Sequence, residues 1–287
     1  MEHNQTDLNI QLAEQSRRAK TGTVIGLVGL GVTLLFFVTM QPVVLILGLA
    51  AAIGGFIYRS TRISKMKELA AAGLIPQTLS QVLEDVSYDP RGRIGDHVVR
   101  HVPMGFPFDF DEVKGSDHIS GTYKGLRMEM SDLELVDVRR VHTKNGTRTE
   151  RVTVFRGQWI ICQFRRQLSA DVLLSERSAL GQMFKLGGIK TESEAFNSRF
   201  CIRSDSEHDV FYLLTPHRME QVLHMDALAD GDSYLRFGRD GLVHIAVSTG
   251  KNLFEVGSDR DAESLRQKFL QELADITALL DALCLGD

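Results

Sequence analysis

Apolar residues are concentrated in one part of the chain, residues 24–58, and this concentration predicts membrane-spanning helices. Residues 21–40 and 43–58 form two uncharged runs, and only Gln41 and Pro42 separate them. A helix rises about 1.5 Å per residue, so crossing the hydrocarbon core takes about 20 residues, with about 17 near the lower limit. Because proline ends or kinks a helix, we expect two short spans joined by a tight turn. A single kinked helix and a re-entrant hairpin are the alternatives.

The charges that flank these runs predict how the chain is oriented. Three cations precede the first run and four follow the second: Arg17, Arg18, Lys20, Arg59, Arg62, Lys65 and Lys67. Segments on the cytoplasmic side of a membrane carry an excess of Lys and Arg. We therefore expect a multi-pass protein of the inner (cytoplasmic) membrane, with residues 1–20 as a cytoplasmic tail. Neither run contains an ionisable residue, which disfavours a transport path through the helices.

The rest of the chain has the hydrophobic pattern of a folded domain with mainly antiparallel strands. Partial alternation predicts strands from Ile119 onward, and Asn145-Gly146 predicts a hairpin because both central positions of a type I′ turn need positive φ. Thr215-Pro216 predicts the start of a central helix, since threonine caps and proline suits the first turn. Leucines at helical spacing predict a C-terminal capping helix near residues 261–284.

The fold class is therefore α+β: an N-terminal two-helix transmembrane hairpin, then a mainly antiparallel β domain with a central and a C-terminal helix. We expect residues 59–118 to form juxtamembrane helices and a loop, and residues 119–287 to form the cytoplasmic domain. Within the first of these segments, residues 77–86 have the spacing of a short helix. Residues 87–115 are rich in Gly, Pro and Asp, which favours a long loop or linker with little regular structure.

Composition narrows the classes of function. The formal net charge of −4 and the pI near 6.2 give no whole-protein case for nucleic-acid binding. The three cysteines, Cys162, Cys201 and Cys284, are far apart and form no CxxC pair. This spacing argues against a disulfide framework and a zinc ribbon, and it fits a reducing compartment.

No motif in the sequence predicts a catalytic, metal or cofactor site. His97 and His101 have the i, i+4 spacing of two ligands on one helix face, but there is no HExxH, and their surroundings do not favour a helix. His217 and His224 share a face of the central helix, where a solvent-exposed polar face is the favoured interpretation. The chain has no GxSxG sequence and no Walker-type phosphate loop.

The most distinctive polar feature is a basic hairpin around Asn145-Gly146. Its cations are Arg139, Arg140, Lys144, Arg148 and Arg151, and Glu150 is the local acid. Cations near an anionic leaflet each contribute about 1 kcal/mol to membrane attraction. We therefore consider anionic lipid headgroups and an acidic protein partner as alternative ligands, and a solvated hairpin without a partner as the third interpretation.

Several segments resemble an uncharacterised bacterial membrane protein family, domain of unknown function 3137. They are GTYKG (Gly121 to Gly125), VTVFRGQWII (Val152 to Ile161), FNSRFCIRSD (Phe196 to Asp205), YLLTPHRME (Tyr212 to Glu220) and VHIAVSTGKNLFEV (Val243 to Val256). The resemblance implies an architecture with an apolar hairpin near the N-terminus followed by this domain. It implies no activity and brings no catalytic or binding residue.

These observations favour a membrane-anchored, non-enzymatic interaction or regulatory module without a cofactor. The basic hairpin is its candidate binding site, and a homo-oligomer is left open. The alternative is a membrane-tethered enzyme that acts on lipid or envelope precursors and assembles its site from scattered residues. A deep pocket that collects the histidines and nearby acids would favour the enzyme.

Overall fold

The structure is a computed structural model, and it describes residues 2–39, 41–143, 146–177, 188–229, 231–256 and 262–285. The chain divides into two compact units. One unit consists of Met1–Gln81 with Phe254–Glu272, and the other of Val82–Leu253 with Leu273–Asp287.

The helices are α1 (Glu2–Thr39), α2 (Pro42–Leu69), α3 (Ile75–Leu79), α4 (Asp96–His101), α5 (Glu194–Arg199), α6 (Glu207–Leu213), α7 (Pro216–Leu228) and α8 (Ala262–Leu280), with π-helical turns at Ala70–Leu74 and Asp281–Leu285. The strands are β1 (Glu84–Asp89), β2 (Glu112–Tyr123), β3 (Leu126–Thr143), β4 (Gly146–Gln163), β5 (Val172–Glu176), β6 (Phe200–Arg203), β7 (Asp232–Phe237) and β8 (Leu242–Ser248).

The first unit is built on α1 and α2, which pack through glycine and alanine. A Cβ on Gly29 would lie 2.3 Å from the amide nitrogen of Ala52, and one on Gly55 would lie 2.4 Å from that of Gly26. Only small residues allow two helix backbones to approach so closely. The residues 2–20, expected as a tail, are helical and continuous with the apolar part of α1.

The sequence prediction of two long apolar helices is confirmed. Residues Asp7–Leu35 and Pro42–Leu79 are each long and apolar enough to cross a membrane. Pro42 occupies the first turn of α2, a position where its missing N–H costs no hydrogen bond. Both helices are longer than the uncharged runs. α1 begins well before residue 21, and α2 continues past residue 58.

The second unit contains an eight-stranded antiparallel sheet in the order β1-β2-β3-β4-β8-β7-β5-β6. The sheet and the C-terminal α8 confirm the predicted mixed class. The strands begin at Glu84, earlier than the expected start near Ile119. Glu84 pairs with Thr122 of β2, so residues 84–86, expected to end a short helix, instead belong to β1.

Residues 87–115 also contain more regular structure than their composition suggests. They include the second half of β1, all of α4 and the start of β2. Residues 94–110, the cover segment, pack their apolar side chains on one face of the sheet, around Trp159. Phe106 lies 4.7 Å from Tyr234 and 5.8 Å from Trp159, measured between ring centroids. Hydrophobic burial thus orders a segment that its Gly and Pro content had marked as a loop.

The predicted helix start at Thr215-Pro216 is confirmed. The Thr215 side chain accepts a hydrogen bond from the amide of Arg218, and Pro216 begins α7. Within the second unit, the C-terminal part of α8 buries Leu273, Ile276 and Leu280, as its leucine spacing predicted.

Candidate functional site

The β3–β4 hairpin is longer than the strands beside it. β3 pairs with β2 only as far as Val136, and β4 pairs with β8 only from Gln158 to Gln163. Beyond those points the two strands pair with each other through seven further residue pairs, from Asp137↔Val152 to Thr143↔Gly146. We call residues 137–143 and 146–152 the arm.

The register divides the basic residues of the arm between its two faces. Residues directly opposite each other in an antiparallel ladder point to the same face. Arg139 lies opposite Glu150 and Arg148 lies opposite Val141, so these residues share one face. The pairs of the other face are Val138↔Arg151, Arg140↔Thr149 and His142↔Thr147. Each face therefore carries two of the four described arginines, while Lys144 lies outside the described residues.

Carboxylates accompany three of these arginines. Arg139 Nε lies 2.5 Å from Asp137 Oδ2, Arg148 Nη2 lies 3.9 Å from Glu150 Oε1, and Arg151 Nε lies 3.0 Å from Glu112 Oε1. Arg140 has no ion pair with any residue in the described part of the chain. The arginine side chains in these pairs are at least 59% exposed, and such surface pairs contribute at most about 1 kcal/mol.

Of these carboxylates the sequence analysis had identified only Glu150. Asp137 is two residues from Arg139, on the same face of the strand, which alternation alone could have shown. Glu112, the first residue of β2, pairs with Arg151, and only the tertiary fold reveals that contact. The arm retains a positive balance, because the sequence of residues 137–151 has five Lys and Arg against two Asp and Glu.

The base of the arm is fixed by Asp111. Its amide donates to the carbonyl of Val136 over 2.9 Å, and its carboxylate Oδ2 accepts from the amide of Val138 over 2.7 Å. The Asp111 carboxylate thus occupies the position where a further residue of β2 would pair with β3, and the β2–β3 ladder ends there. Four valines on the arm and at its base, Val138, Val141, Val152 and Val154, are half-buried.

The four histidines weighed in the sequence are all exposed. His97 and His101 do lie on a helix, α4, where His101 Nδ1 is 2.8 Å from the carbonyl oxygen of His97. The expectation that this stretch is not helical is therefore wrong. His224 lies at the rim of a small apolar groove between α7 and α8. Among the described residues, no three His, Cys, Asp or Glu side chains converge as metal ligands.

A histidine that the sequence analysis did not single out, His244, is buried in the sheet beneath the cover segment. Burial and then the neighbouring Arg236 guanidinium lower the pKa of His244 to about 4. Arg236 is held by Asp171 and Asp240, each at 3.0 Å. His244 is 1% exposed, so it is closed off from solvent.

A second polar cluster that the sequence analysis did not identify consists of Arg199 and the buried carboxylates of Glu176 and Asp226. Arg199 Nη2 lies 2.9 Å from Glu176 Oε1, and Arg199 Nε donates a hydrogen bond to Asp226 Oδ2. The hydrogen bond to Asp226 raises the pKa of Arg199. Asp226, two residues after His224 on α7, thus pairs with Arg199.

The C-terminal part of the chain matches a family model. The family model described as “Protein of unknown function (DUF3137)” matches residues 153–285, which confirms the resemblance stated above. The matched range begins at Thr153, so the GTYKG segment lies outside it. Among curated proteins, none matches this chain.

Among solved structures, the mycobacterial trehalose monomycolate transport factor A, TtfA, is similar over 74% of this chain and 96% of its own chain. The identity is 11% and the TM-score is 0.35. A likeness of this size carries no argument about the role of this chain.

Proposed function

We propose that this chain is a membrane-anchored, non-enzymatic interaction module. In this proposal α1 and α2 span the cytoplasmic membrane, and the arm binds an acidic surface of a protein partner in the cytoplasm. The exposed apolar surface of α1 and α2 is the observation that carries the proposal.

Large hydrophobic side chains point outward along both helices. Among the described residues, all the exposed ones except Val82, Phe211 and Tyr212 lie on α1 and α2. They are Ile10, Val24, Ile25, Leu27, Val28, Leu30, Leu34, Leu35, Val43, Ile46, Leu47, Leu49, Ile53, Phe56 and Ile57. Leaving such surface in water costs about 25 cal/mol per Å². A bilayer removes that cost, while the small residues between the helices hold the hairpin together.

The charge pattern supports the orientation. Three of the seven flanking cations lie on α1 before residue 21, and four lie on α2 after residue 58. The positive-inside rule then favours a cytoplasmic location for both ends. The connection at Gln41 would lie on the opposite side.

The two-faced distribution of arginines favours a protein over a lipid surface as the ligand of the arm. A flat bilayer contacts one face of a ribbon at a time and leaves the other two arginines in solvent. A protein surface can reach both faces, or can approach along an edge where both faces are accessible. Charge complementarity of this kind mainly raises association rates and selects partners.

The anchor is tested by alkaline carbonate extraction of membranes that contain the full chain. We expect the protein to remain in the membrane pellet, and a variant lacking residues 21–58 to be released. Topology is tested with single cysteines in a cysteine-free background. Gln41→Cys should react with an impermeant maleimide on intact cells, and Ser87→Cys only after lysis. Release of the full chain by carbonate, or the reverse labelling pattern, would overturn this part of the proposal.

The arm is tested by charge reversal in the full chain. We expect Arg140→Glu with Arg148→Glu to reduce binding of acidic protein at least tenfold, with a steep dependence on salt. Arg127→Glu is the matched control, because Arg127 is an exposed arginine on β3 outside the arm. If the charge reversal instead reduces only the binding of anionic liposomes, lipid headgroups are the ligand. If it changes neither, the arm is not the binding site.

A further inference from the structure

The contacts of Asp111 show which backbone groups of the arm are directed outward. The carbonyl of Val136 and the amide of Val138 both bond to Asp111, on the side away from β4. Backbone groups alternate in direction along a strand. Those of Arg140 and His142 therefore also point away from β4, while those of the residues between them pair with it.

The same alternation identifies the outward groups of β4. In an antiparallel ladder, residues directly opposite each other both point their N–H and C=O inward or both outward. Thr147, Thr149 and Arg151 lie opposite His142, Arg140 and Val138. The amides and carbonyls of these three β4 residues therefore face the outer edge of the arm.

This outer edge of β4 is long. Pairing with β8 begins at Gln158, and next to it the carbonyl of Arg156 accepts from the amide of Gly250 over 2.8 Å. From Thr147 to Phe155, no described residue pairs with this edge. At about 3.3 Å per residue the unpaired stretch is roughly 30 Å long. The corresponding edge of β3 is shorter, because Asp111 occupies its first position.

An unpaired edge of this kind is a template for another strand. A two-stranded ribbon is only marginally stable by itself in water, and a third strand adds main-chain hydrogen bonds and covers the half-buried valines. Most soluble proteins protect such edges with charges, short strands or bulges. Here the charges are arginines, Arg148 on one face and Arg151 on the other, so a strand with acids at the matching positions is favoured rather than repelled.

We propose that an extended acidic segment of a partner protein adds to the outer edge of β4 as an antiparallel strand. This inference rests on the proposed function, because it uses the same arm. The partner residues opposite Arg151 and Arg148 are acidic, and the one opposite Glu150 is basic or neutral. Read in the direction of the partner strand, the expected pattern is Glu-Lys-Thr-Glu. Main-chain hydrogen bonds give the affinity, and the two acids set the register.

The test uses the full chain in nanodiscs of zwitterionic lipid. The probe is a fluorescein-labelled ten-residue peptide with Glu-Lys-Thr-Glu at its centre, and Lys-Glu-Thr-Lys is the control peptide. Thr149→Pro removes one outward N–H, whereas Thr149→Val keeps it with a side chain of similar shape. We expect Thr149→Pro to weaken binding of the probe at least tenfold and Thr149→Val to change it less than twofold. Hydrogen exchange at Thr147, Thr149 and Arg151 should slow when the probe binds.

The outcomes separate this inference from the function on which it rests. If Thr149→Pro and Thr149→Val bind equally while Arg148→Glu abolishes binding, the arm binds through charge alone, and strand addition is wrong. If all three variants bind like the unmodified chain, the proposed role of the arm is wrong as well. Self-association that Thr149→Pro abolishes, without any effect of the probe, would assign the edge to a second copy. Should Thr149→Pro fail to fold, Thr147→Pro provides the same comparison.

Discussion

Trp159 Nε1 donates a hydrogen bond to His244 Nδ1 across 3.3 Å, inside the sheet. Both side chains are almost completely buried, Trp159 at 0% and His244 at 1% exposure. Because Nδ1 accepts this bond, the neutral ring carries its proton on Nε2. The contact links the one tryptophan of the chain to a histidine whose pKa is lowered by burial, so we expect Trp159 fluorescence to respond to the protonation of His244.

We predict that mild acid destabilises the second unit through His244. The pKa of His244 is about 4 in the fold against 6.5 in an unfolded chain, so the unfolded state takes up a proton first. The free energy of unfolding should be highest above pH 6.5 and fall by up to about 3 kcal/mol as the pH approaches 4. Urea midpoints measured from Trp159 fluorescence between pH 7 and pH 4 test this. In His244→Gln the slope over that range should largely disappear, and an unchanged slope would refute the assignment.

A separate loss of stability is expected at lower pH, through Asp209. Its Oδ2 accepts from the Ser169 hydroxyl at 2.5 Å and from the amides of Ser169 and Ala170 at 2.9 and 2.8 Å. These hydrogen bonds, the hydroxyl first, lower the pKa of Asp209 to about 2 from 3.8. The stabilisation is therefore complete above pH 3.8 and is lost as the pH falls through 2.

The matching variant is Asp209→Asn, which keeps the size of the side chain and removes its titration. We expect acid unfolding of Asp209→Asn, followed by circular dichroism, to lack the additional loss between pH 3.8 and 2. The wild-type chain should show it. A loss of equal size in both proteins over this interval would show that other carboxylates are responsible.

The close approach of Gly29 to Ala52 gives a prediction about the helix hairpin. A Cβ at Gly29 would meet the backbone of α2, whereas one at Gly31 would have nothing within 4 Å. We expect Gly29→Leu to separate α1 from α2, with an overpacking cost of about 1–3 kcal/mol. Gly31→Leu adds the same side chain on the outer surface and should leave the thermal unfolding midpoint in detergent within about 1 °C. Equal effects of the two substitutions would contradict this packing.

Features that depend on residues close together in the sequence were predicted, whereas features that depend on contacts between distant segments were missed. The apolar runs of residues 21–40 and 43–58 and the Thr215-Pro216 helix start are local features, and local patterns expose them. The cover segment was missed because its order comes from burial of its phenylalanines on a distant sheet face. The local secondary-structure propensity of residues 94–110 does not depend on that surface. The Gly and Pro content of the segment therefore led to the prediction of a loop.

The candidate site shows the same limit. The sequence identified the arginines of the arm but not their division between two faces. That division depends on the register of the hairpin, in which Thr143 lies opposite Gly146. The bulge at Val154, where the ladder passes from Leu135↔Phe155 to Val136↔Thr153, lies outside the arm and reverses the parity only between the arm and the rest of β4. Ion pairs such as Arg151 with Glu112 could not be predicted either, because they join separate strands.

The last prediction concerns Arg199, which lies between the carboxylates of Glu176 and Asp226, 3% and 2% exposed. Removing one member of a buried ion pair usually costs about 3–5 kcal/mol, because it leaves charge in a poorly solvated site. The Arg199 side chain is 42% exposed, so water screens part of its effect, and we expect Arg199→Met to lower the free energy of unfolding by about 2 kcal/mol. Urea unfolding measures this loss, with the exposed Arg127→Met as the control. Adding Asp226→Asn to Arg199→Met removes one of the two negative charges and should recover part of the stability. A double variant less stable than Arg199→Met would show that Asp226 is held by partners other than Arg199.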